Sequence, residues 1–236
     1  MRSRFCLSII VKLELYSLLL NLFAFEESFQ TQKAFAEERG VIPTPKIKSS
    51  LSKINEGISV QKIYKGSYAL VIGAKDYNPS WPELPGVTKD VEEIKNILGK
   101  HGFAITTIIN PTKRELEIAF DTFISSYGFS AENRILIYFA GHGHTQKLSY
   151  GGQMGYLVPI DAPNPERDLN GFLAYGMDMQ QIEVYAKRIQ ARHALFVFDS
   201  CFSGSFFSLR RSIPKSVQYK IKLPVRQFIT SGSAGE

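Results

Sequence analysis

Short, wholly apolar runs alternate along this chain with segments of helical periodicity, and this alternation restricts the fold more than any other feature. The runs Tyr68–Ile72, Arg134–Ala140 and Ala194–Phe198 are apolar over nearly all of their consecutive positions. A strand that is apolar on both faces is covered on both faces, which is typical of parallel sheets in α/β proteins. The sequence therefore predicts a three-layer α/β/α fold with a mostly parallel central sheet.

The segments between these runs have the spacing of amphipathic helices. Apolar side chains recur every three or four residues from Val87 to Leu98, as on one face of a helix. Thr112 and Glu115 form a capping-box pattern that opens a second helix, and Asp178 is a candidate cap for another. Two further strands are predicted at Phe103–Ile109 and Gln227–Thr230.

Length and composition fit one globular domain preceded by a leader. The chain has 236 residues, of which 44% are hydrophobic and 21% are charged, as in ordinary globular proteins. Pro43, Pro45 and scattered polar residues indicate a linker before the first predicted strand. We therefore predict a leader at 1–36, a linker at 37–66 and one folded domain at 67–236.

Two interpretations of the leader remain open. Arg2 and Arg4 precede an apolar stretch, and Ala34-Phe35-Ala36 has the small-x-small form of a signal-peptide cleavage site. Lys12 and Glu14 interrupt that stretch, so the alternative is an unprocessed extension. The protein is exported or periplasmic in the first case and cytoplasmic in the second. No stable membrane span is expected, because the uninterrupted part, Leu15–Phe25, is shorter than the roughly 20 residues that a spanning helix needs.

A histidine and a cysteine follow two of the predicted strands. His142 stands between two glycines after the third strand, and Cys201 follows the fourth strand in the run DSCFSG. Ligand and catalytic sites of such sheets form beyond the carboxyl ends of the strands. A thiol needs a neighbouring base to be an effective nucleophile, and His142 provides one. The amides of Gly143 and Cys201 are candidates for binding the oxyanion of an acyl-transfer intermediate.

Each of these residues also has a structural interpretation. Cys201 alone would be interpreted as a core residue and His142 as a strand terminus, but their joint placement favours catalysis. His144 is a second candidate base, for which a role in stabilising the loop is the alternative. No metal site is expected, because the few Cys and His residues lack the spacing of ligands. No cofactor is predicted.

The residues around His142 and Cys201 resemble a known family. The runs YFAGHG (138–143) and DSCFSG (199–204) are similar to the paired His and Cys boxes of caspase and metacaspase cysteine peptidases, family C14. The resemblance extends over Tyr68–Glu236 and is greatest to the bacterial metacaspase-like type. It implies a caspase-like fold and a cysteine endopeptidase activity through a Cys–His dyad, in which backbone contacts orient His142.

The acidic residues of these motifs predict a substrate preference. Asp199 lies two positions before the candidate nucleophile, and the resemblance implies that Asp90 joins it in the pocket for the residue before the scissile bond. Two carboxylates in a recessed pocket favour Arg, which binds carboxylates in a bidentate manner, or Lys. The expected partners are protein or peptide substrates with basic residues. The alternative for Asp90 is a carboxylate in the first turn of a helix.

A basic run follows the Cys box. No acidic residue occurs between Gly204 and Gln227, where Arg210, Arg211 and Lys215 are candidate autocleavage sites. The alternative is a solvated basic loop, which would also include Arg226. A formal net charge of +6, spread along most of the chain, does not by itself indicate a nucleic-acid partner, and none is expected.

The end of the sequence at Glu236 suggests a C-terminally truncated caspase-like fold, because members of the resembled family continue further. The second functional hypothesis is therefore an inactive caspase-like module that acts in binding or regulation. Activation by Ca²⁺ is implied by the family resemblance alone, since the acidic residues lack the spacing of a Ca²⁺ loop. The sequence gives no indication of the oligomeric state.

Overall fold

The computed structural model describes residues 64–200 and 225–230. The predicted leader and nearly all of the predicted linker lie outside this range, so the boundaries at 36 and 66 stay predictions. The compact unit that contains all described residues except Tyr64 and Lys65 begins at Gly66. Within the described ranges, no helix combines the length and the hydropathy that crossing a membrane requires.

The central sheet has five strands in the order β2-β1-β3-β7-β8, and every neighbouring pair is parallel. The middle strand, β3, is buried at all of its positions, which explains its continuous apolar sequence. These strands are β1 (Gly66–Gly73), β2 (Ala104–Ile109), β3 (Asn133–Ala140), β7 (His193–Asp199) and β8 (Val225–Thr230).

Helices cover both faces of this sheet. Leu70 and Ile72 of β1 share a core with helices α2 and α4. A Cβ atom at Gly73 would instead meet Val87 and Val91 of α1. Because successive strand residues face opposite sides, α1 covers the other face. The helices are α1 (Gly86–Lys100), α2 (Lys113–Phe123), continued by a π-helical turn (Ile124–Gly128), α3 (Leu169–Tyr175) and α4 (Met179–Arg188). The predicted α/β/α class with a mostly parallel sheet is confirmed.

Local signals account for the helix starts. Thr112 and Glu115 form the predicted reciprocal capping box of α2, and the Asp178 side chain accepts from the Gln181 amide at the start of α4.

The alternative interpretation of Asp90, as a carboxylate in the first turn of a helix, is wrong. Helix α1 begins at Gly86 and has no acidic residue in its first turn, so Asp90 lies one turn further along.

A small antiparallel sheet was not predicted. It consists of β4 (Gly143–Lys147), β5 (Gln153–Leu157) and β6 (Met177–Asp178) in the order β4-β5-β6. The strands β4 and β5 carry glycine and polar residues rather than an apolar run, so hydropathy gave no signal for them. This sheet begins directly after His142 and fixes the direction in which the chain leaves β3.

One part of the basic-loop interpretation, the inclusion of Arg226, is wrong. Arg226 lies in β8, and its half-buried guanidinium donates to the backbone carbonyls of Ala186 at 3.1 Å and of Ile189. Burial lowers the pKa of Arg226 from its ordinary value. This arginine therefore binds the C-terminal end of α4, where carbonyl groups lack helical partners, and does not belong to a solvated loop.

Candidate active site

His142 lies two residues beyond the carboxyl end of β3, beside the end of β7. Ala140 pairs with Asp199 in the register of these two strands, and the Gly141 amide donates to the Asp199 carbonyl at 3.3 Å. Cys201 follows Asp199 by two positions in the sequence and lies outside the described residues. The parallel register therefore brings the last described residues before the candidate nucleophile alongside the segment that carries the candidate base.

A backbone carbonyl orients the His142 imidazole. Its Nε2 atom lies 2.8 Å from the carbonyl oxygen of Pro82, in the loop between β1 and α1. A carbonyl oxygen accepts only, so this contact assigns the proton of the neutral ring to Nε2. The other ring nitrogen, Nδ1, is then the one that can take up a proton. A carbonyl here fulfils the orienting role that a carboxylate has in a Ser-His-Asp triad.

Two aromatic rings flank the imidazole. The ring centroid of Tyr77 lies 4.7 Å from that of His142, and the centroid of Trp81 lies 5.0 Å away on the same loop as Pro82. The Trp81 indole is itself held by a 3.0 Å bond from Nε1 to the Ala162 carbonyl. Together with the Pro82 contact, these rings restrict the orientation of the imidazole.

The Gly143 amide points away from the antiparallel sheet. Gly143 pairs with Leu157, while the Val158 amide donates to the His142 carbonyl at 3.0 Å. Antiparallel ladders alternate hydrogen-bonded and non-hydrogen-bonded pairs, so the bonded pair at 142 and 158 makes Gly143–Leu157 a non-bonded one. The N–H of Gly143 is therefore directed to the side opposite β5, as an oxyanion donor would require.

The Tyr138 hydroxyl contacts Asp199 and is also influenced by the charge of Asp90. The Tyr138 hydroxyl of β3 lies 3.3 Å from Asp199 Oδ2, the oxygen to which it donates. Burial raises the pKa of Tyr138 well above its ordinary value, and the negative charges of Asp199, Asp90 and Glu93 raise it further. Asp199 of β7 thus contacts this buried phenol directly, and the charges of Asp90 and Glu93 on α1 act on it as well. The role of Asp90 and Asp199 in a substrate pocket stays a prediction.

The comparison with protein families decides what kind of domain this is. A model described as the caspase domain of peptidase family C14 matches residues 67–233.

The chain belongs to this family.

Curated relatives of this caspase domain include the human mucosa-associated lymphoid tissue lymphoma translocation protein 1, which is 33% identical over 115 residues. The mouse homolog is 33% identical over 117 residues. In both cases the alignment covers 47% of this chain and 12% of the relative, so the chain spans a small part of the relatives that it matches. A crystal structure of a Geobacter sulfurreducens protein aligns at 18% identity with a TM-score of 0.47, covering 67% of this chain and 60% of that one.

Two other histidines of the caspase domain, His144 and His193, have structural environments. His144 lies in β4 with its ring edge-on to Phe172, and its Nε2 is 3.3 Å from the Gln146 side-chain oxygen. Burial lowers the pKa of His193 to about 4, with a further contribution from the Arg192 and Arg226 charges. Among residues 64–200 and 225–230, no three His, Cys, Asp or Glu side chains gather as a metal site would require.

Several site residues of the caspase domain escaped the sequence interpretation. The loop after β1 contributes three of them, Tyr77, Trp81 and Pro82. The sequence of this loop is typical of an ordinary turn and gives no sign of a functional role. Glu93 was also missed, although its i+3 spacing from Asp90 places both on neighbouring positions of one helix face. The candidate autocleavage sites Arg210, Arg211 and Lys215 lie outside the described residues, as does the oxyanion amide of Cys201.

Proposed function

We propose that this chain is a cysteine endopeptidase that hydrolyses peptide bonds after Arg or Lys, with Cys201 as nucleophile and His142 as proton carrier. Its membership of a caspase-domain peptidase family supports the reaction class and a protein substrate. The observation that carries the proposal is the 2.8 Å contact between His142 Nε2 and the Pro82 carbonyl, which presents Nδ1 as the proton acceptor at the strand ends.

The proposed reaction is acyl transfer in two stages. His142 Nδ1 takes the thiol proton, and the Cys201 sulfur attacks the carbonyl carbon of the substrate. The amides of Gly143 and Cys201 bind the resulting oxyanion. When the intermediate collapses, the C–N bond breaks and His142 donates its proton to the leaving amine. A water molecule, deprotonated by His142, then attacks the thioester carbon. The C–S bond breaks, His142 returns its proton to the Cys201 sulfur, and the carboxylic product leaves.

The preference for basic residues is supported by the carboxylates around Tyr138. Asp199 of β7 contacts this hydroxyl, the charge of Asp90 on α1 acts on it, and Asp199 is only two positions before the nucleophile. A guanidinium that enters the pocket meets carboxylates on more than one side. Because charge-assisted bonds are roughly twice as strong as neutral ones, an Arg side chain gains most there. An Asp side chain would be repelled.

The proposal is tested with fluorogenic peptides that differ only in the residue before the cleaved bond. We expect cleavage of the Arg and Lys peptides and no measurable cleavage of the Asp peptide. Parallel assays with added Ca²⁺ and with a chelator separate a calcium requirement from a lack of activity. Preferential cleavage of the Asp peptide would refute the specificity, and inertness towards all three peptides in every condition would favour the binding-module hypothesis.

We further propose that the enzyme cuts its own basic segment at Arg210, Arg211 or Lys215. A protease specific for Arg and Lys meets three such residues shortly after its own nucleophile in the sequence. On prolonged incubation, the wild-type chain should yield two fragments on a denaturing gel, whereas Cys201→Ala should stay intact. Replacing the three residues by Gln should block cleavage and leave peptide hydrolysis measurable. Equal integrity of wild type and Cys201→Ala would show that no self-cleavage occurs.

A further inference from the structure

One rung of the antiparallel ladder beside His142 is replaced by a side chain. Residues 142 and 158 lie one position beyond the last pair of β4 and β5, Gly143–Leu157, and Val158 donates to the His142 carbonyl at 3.0 Å. The return bond of such a pair would join the His142 amide to the Val158 carbonyl. Instead, the His142 amide donates to the Tyr77 hydroxyl at 2.7 Å, and this hydroxyl donates to the Val158 carbonyl at 3.2 Å.

The inserted hydroxyl sets how far His142 stands from β5. A direct amide–carbonyl bond would bring the two heavy atoms to about 2.9 Å, whereas two bonds in series hold them further apart. The space for the hydroxyl is provided by Gly141, where a Cβ atom would lie 2.7 Å from the Tyr77 hydroxyl oxygen. Only a residue without a side chain at position 141 therefore leaves room for the Tyr77 hydroxyl beside His142.

The Tyr77 hydroxyl is a permanent hydrogen-bond donor. The residue is only 8% exposed, and burial raises its pKa above the ordinary value, an effect that the bond from His142 opposes only in part. The hydroxyl thus keeps its proton over the pH range in which a cysteine peptidase operates. Loss of this hydroxyl would have one of two results. The His142 amide and the Val158 carbonyl would lose the bonds that they make to it, or they would move together and form a direct hydrogen bond.

The same loop determines both the backbone and the ring of His142. The Tyr77 hydroxyl accepts from the His142 amide and separates it from β5. The Pro82 carbonyl, five positions later, binds the ring at Nε2. If the pair at 142 and 158 closes, His142 is drawn towards β5 while the Pro82 carbonyl keeps its place. The Nε2 contact of 2.8 Å then lengthens, and the ring loses its fixed tautomer.

We propose that Tyr77 is a positioning residue for His142, whose hydroxyl replaces a ladder bond and thereby holds the imidazole on the Pro82 carbonyl. This inference rests on the proposed role of His142 in peptide hydrolysis. It assigns Tyr77 no contact with substrate.

The test is Tyr77→Phe, which removes the hydroxyl and keeps the ring. The matched control is Tyr185→Phe, at a tyrosine that is 4% exposed and whose hydroxyl accepts a long, 3.4 Å bond from the Gln181 side chain. We expect Tyr77→Phe to lower kcat for an Arg peptide by roughly tenfold with KM nearly unchanged, since small displacements of a catalytic group reduce turnover. Tyr185→Phe should change neither value.

A spectroscopic measurement tests the inference independently of activity. In ¹⁵N-histidine-labelled protein, neutral His142, assigned with His142→Asn, should show the pure Nε2–H tautomer in wild type and in Tyr185→Phe. Tyr77→Phe should show a mixture of both tautomers. An unchanged tautomer and kcat in Tyr77→Phe would overturn the role of Tyr77 and leave the proposed function intact. Inactive wild type with a tautomer shift in Tyr77→Phe would overturn the proposed function and retain the positioning effect.

Discussion

Replacing Cys201 by Ala is expected to lower kcat/KM for an Arg peptide by at least about 1000-fold, because the proposed reaction forms the acyl-enzyme on the Cys201 sulfur. His142→Ala should cost a similar factor, since the thiol then lacks its proton acceptor. The double variant should be no worse than either single one, because residues that act as one unit are not additive. Steady-state kinetics on the Arg peptide measures all three.

Cys6→Ala is the matched control for this series. Cys6 is the other cysteine of the chain and belongs to the predicted leader, so its replacement should leave kcat/KM unchanged. Thermal unfolding of each variant excludes loss of the fold as the cause. Activity that survives in Cys201→Ala, or a large additional loss in the double variant, would contradict the dyad.

Replacing Asp199 by Asn is expected to lower kcat/KM for Arg and Lys peptides by about 100-fold, which corresponds to about 2.7 kcal/mol of transition-state binding. The amide keeps the shape of the side chain and can still accept from the Tyr138 hydroxyl, but it removes a negative charge from the pocket. Asp90→Asn should act in the same direction. Both variants should lose kcat/KM with Arg and Lys peptides. Neither should lose it with a matched peptide that has the neutral residue Gln before the cleaved bond.

Asp121→Asn provides the control for this charge change. Asp121 pairs with Arg188 at the surface, where the two side chains are 52% and 41% exposed, and such pairs contribute little. Its replacement should leave the kinetics as they are. Equal losses for Arg and Gln peptides in Asp199→Asn would show that Asp199 supports the fold of the site and does not select the substrate.

The sequence predicted the central sheet because burial on both faces leaves a continuous apolar run. Arg134–Ala140 became β3, buried throughout, and the capping residues Thr112 and Asp178 marked the starts of α2 and α4. In a parallel sheet, the carboxyl ends of neighbouring strands lie at the same edge. His142, which follows β3, could therefore be placed beside the end of β7 from the sequence. These features depend on local pattern and on one topological rule.

The rest of the site depends on contacts that no local pattern encodes. Pro82 orients His142 through its backbone carbonyl, so any residue type at this position could have supplied the atom. The role of Tyr77 arises from a gap between β4 and β5, two strands without an apolar run. Asp90 and Asp199 lie 109 positions apart in the sequence (199 minus 90), and only the tertiary structure lets the charges of both act on Tyr138.

Covalent labelling of Cys201 with an arginyl chloromethyl ketone tests the central claim most directly, because the reagent must fill the basic pocket and meet an activated thiol. Peptide mapping by mass spectrometry should find one adduct, on Cys201, that forms faster than with the aspartyl reagent and more slowly in Asp199→Asn. A Cys201 that reacts with iodoacetamide but not with the arginyl reagent, or that reacts faster with the aspartyl one, would contradict the account.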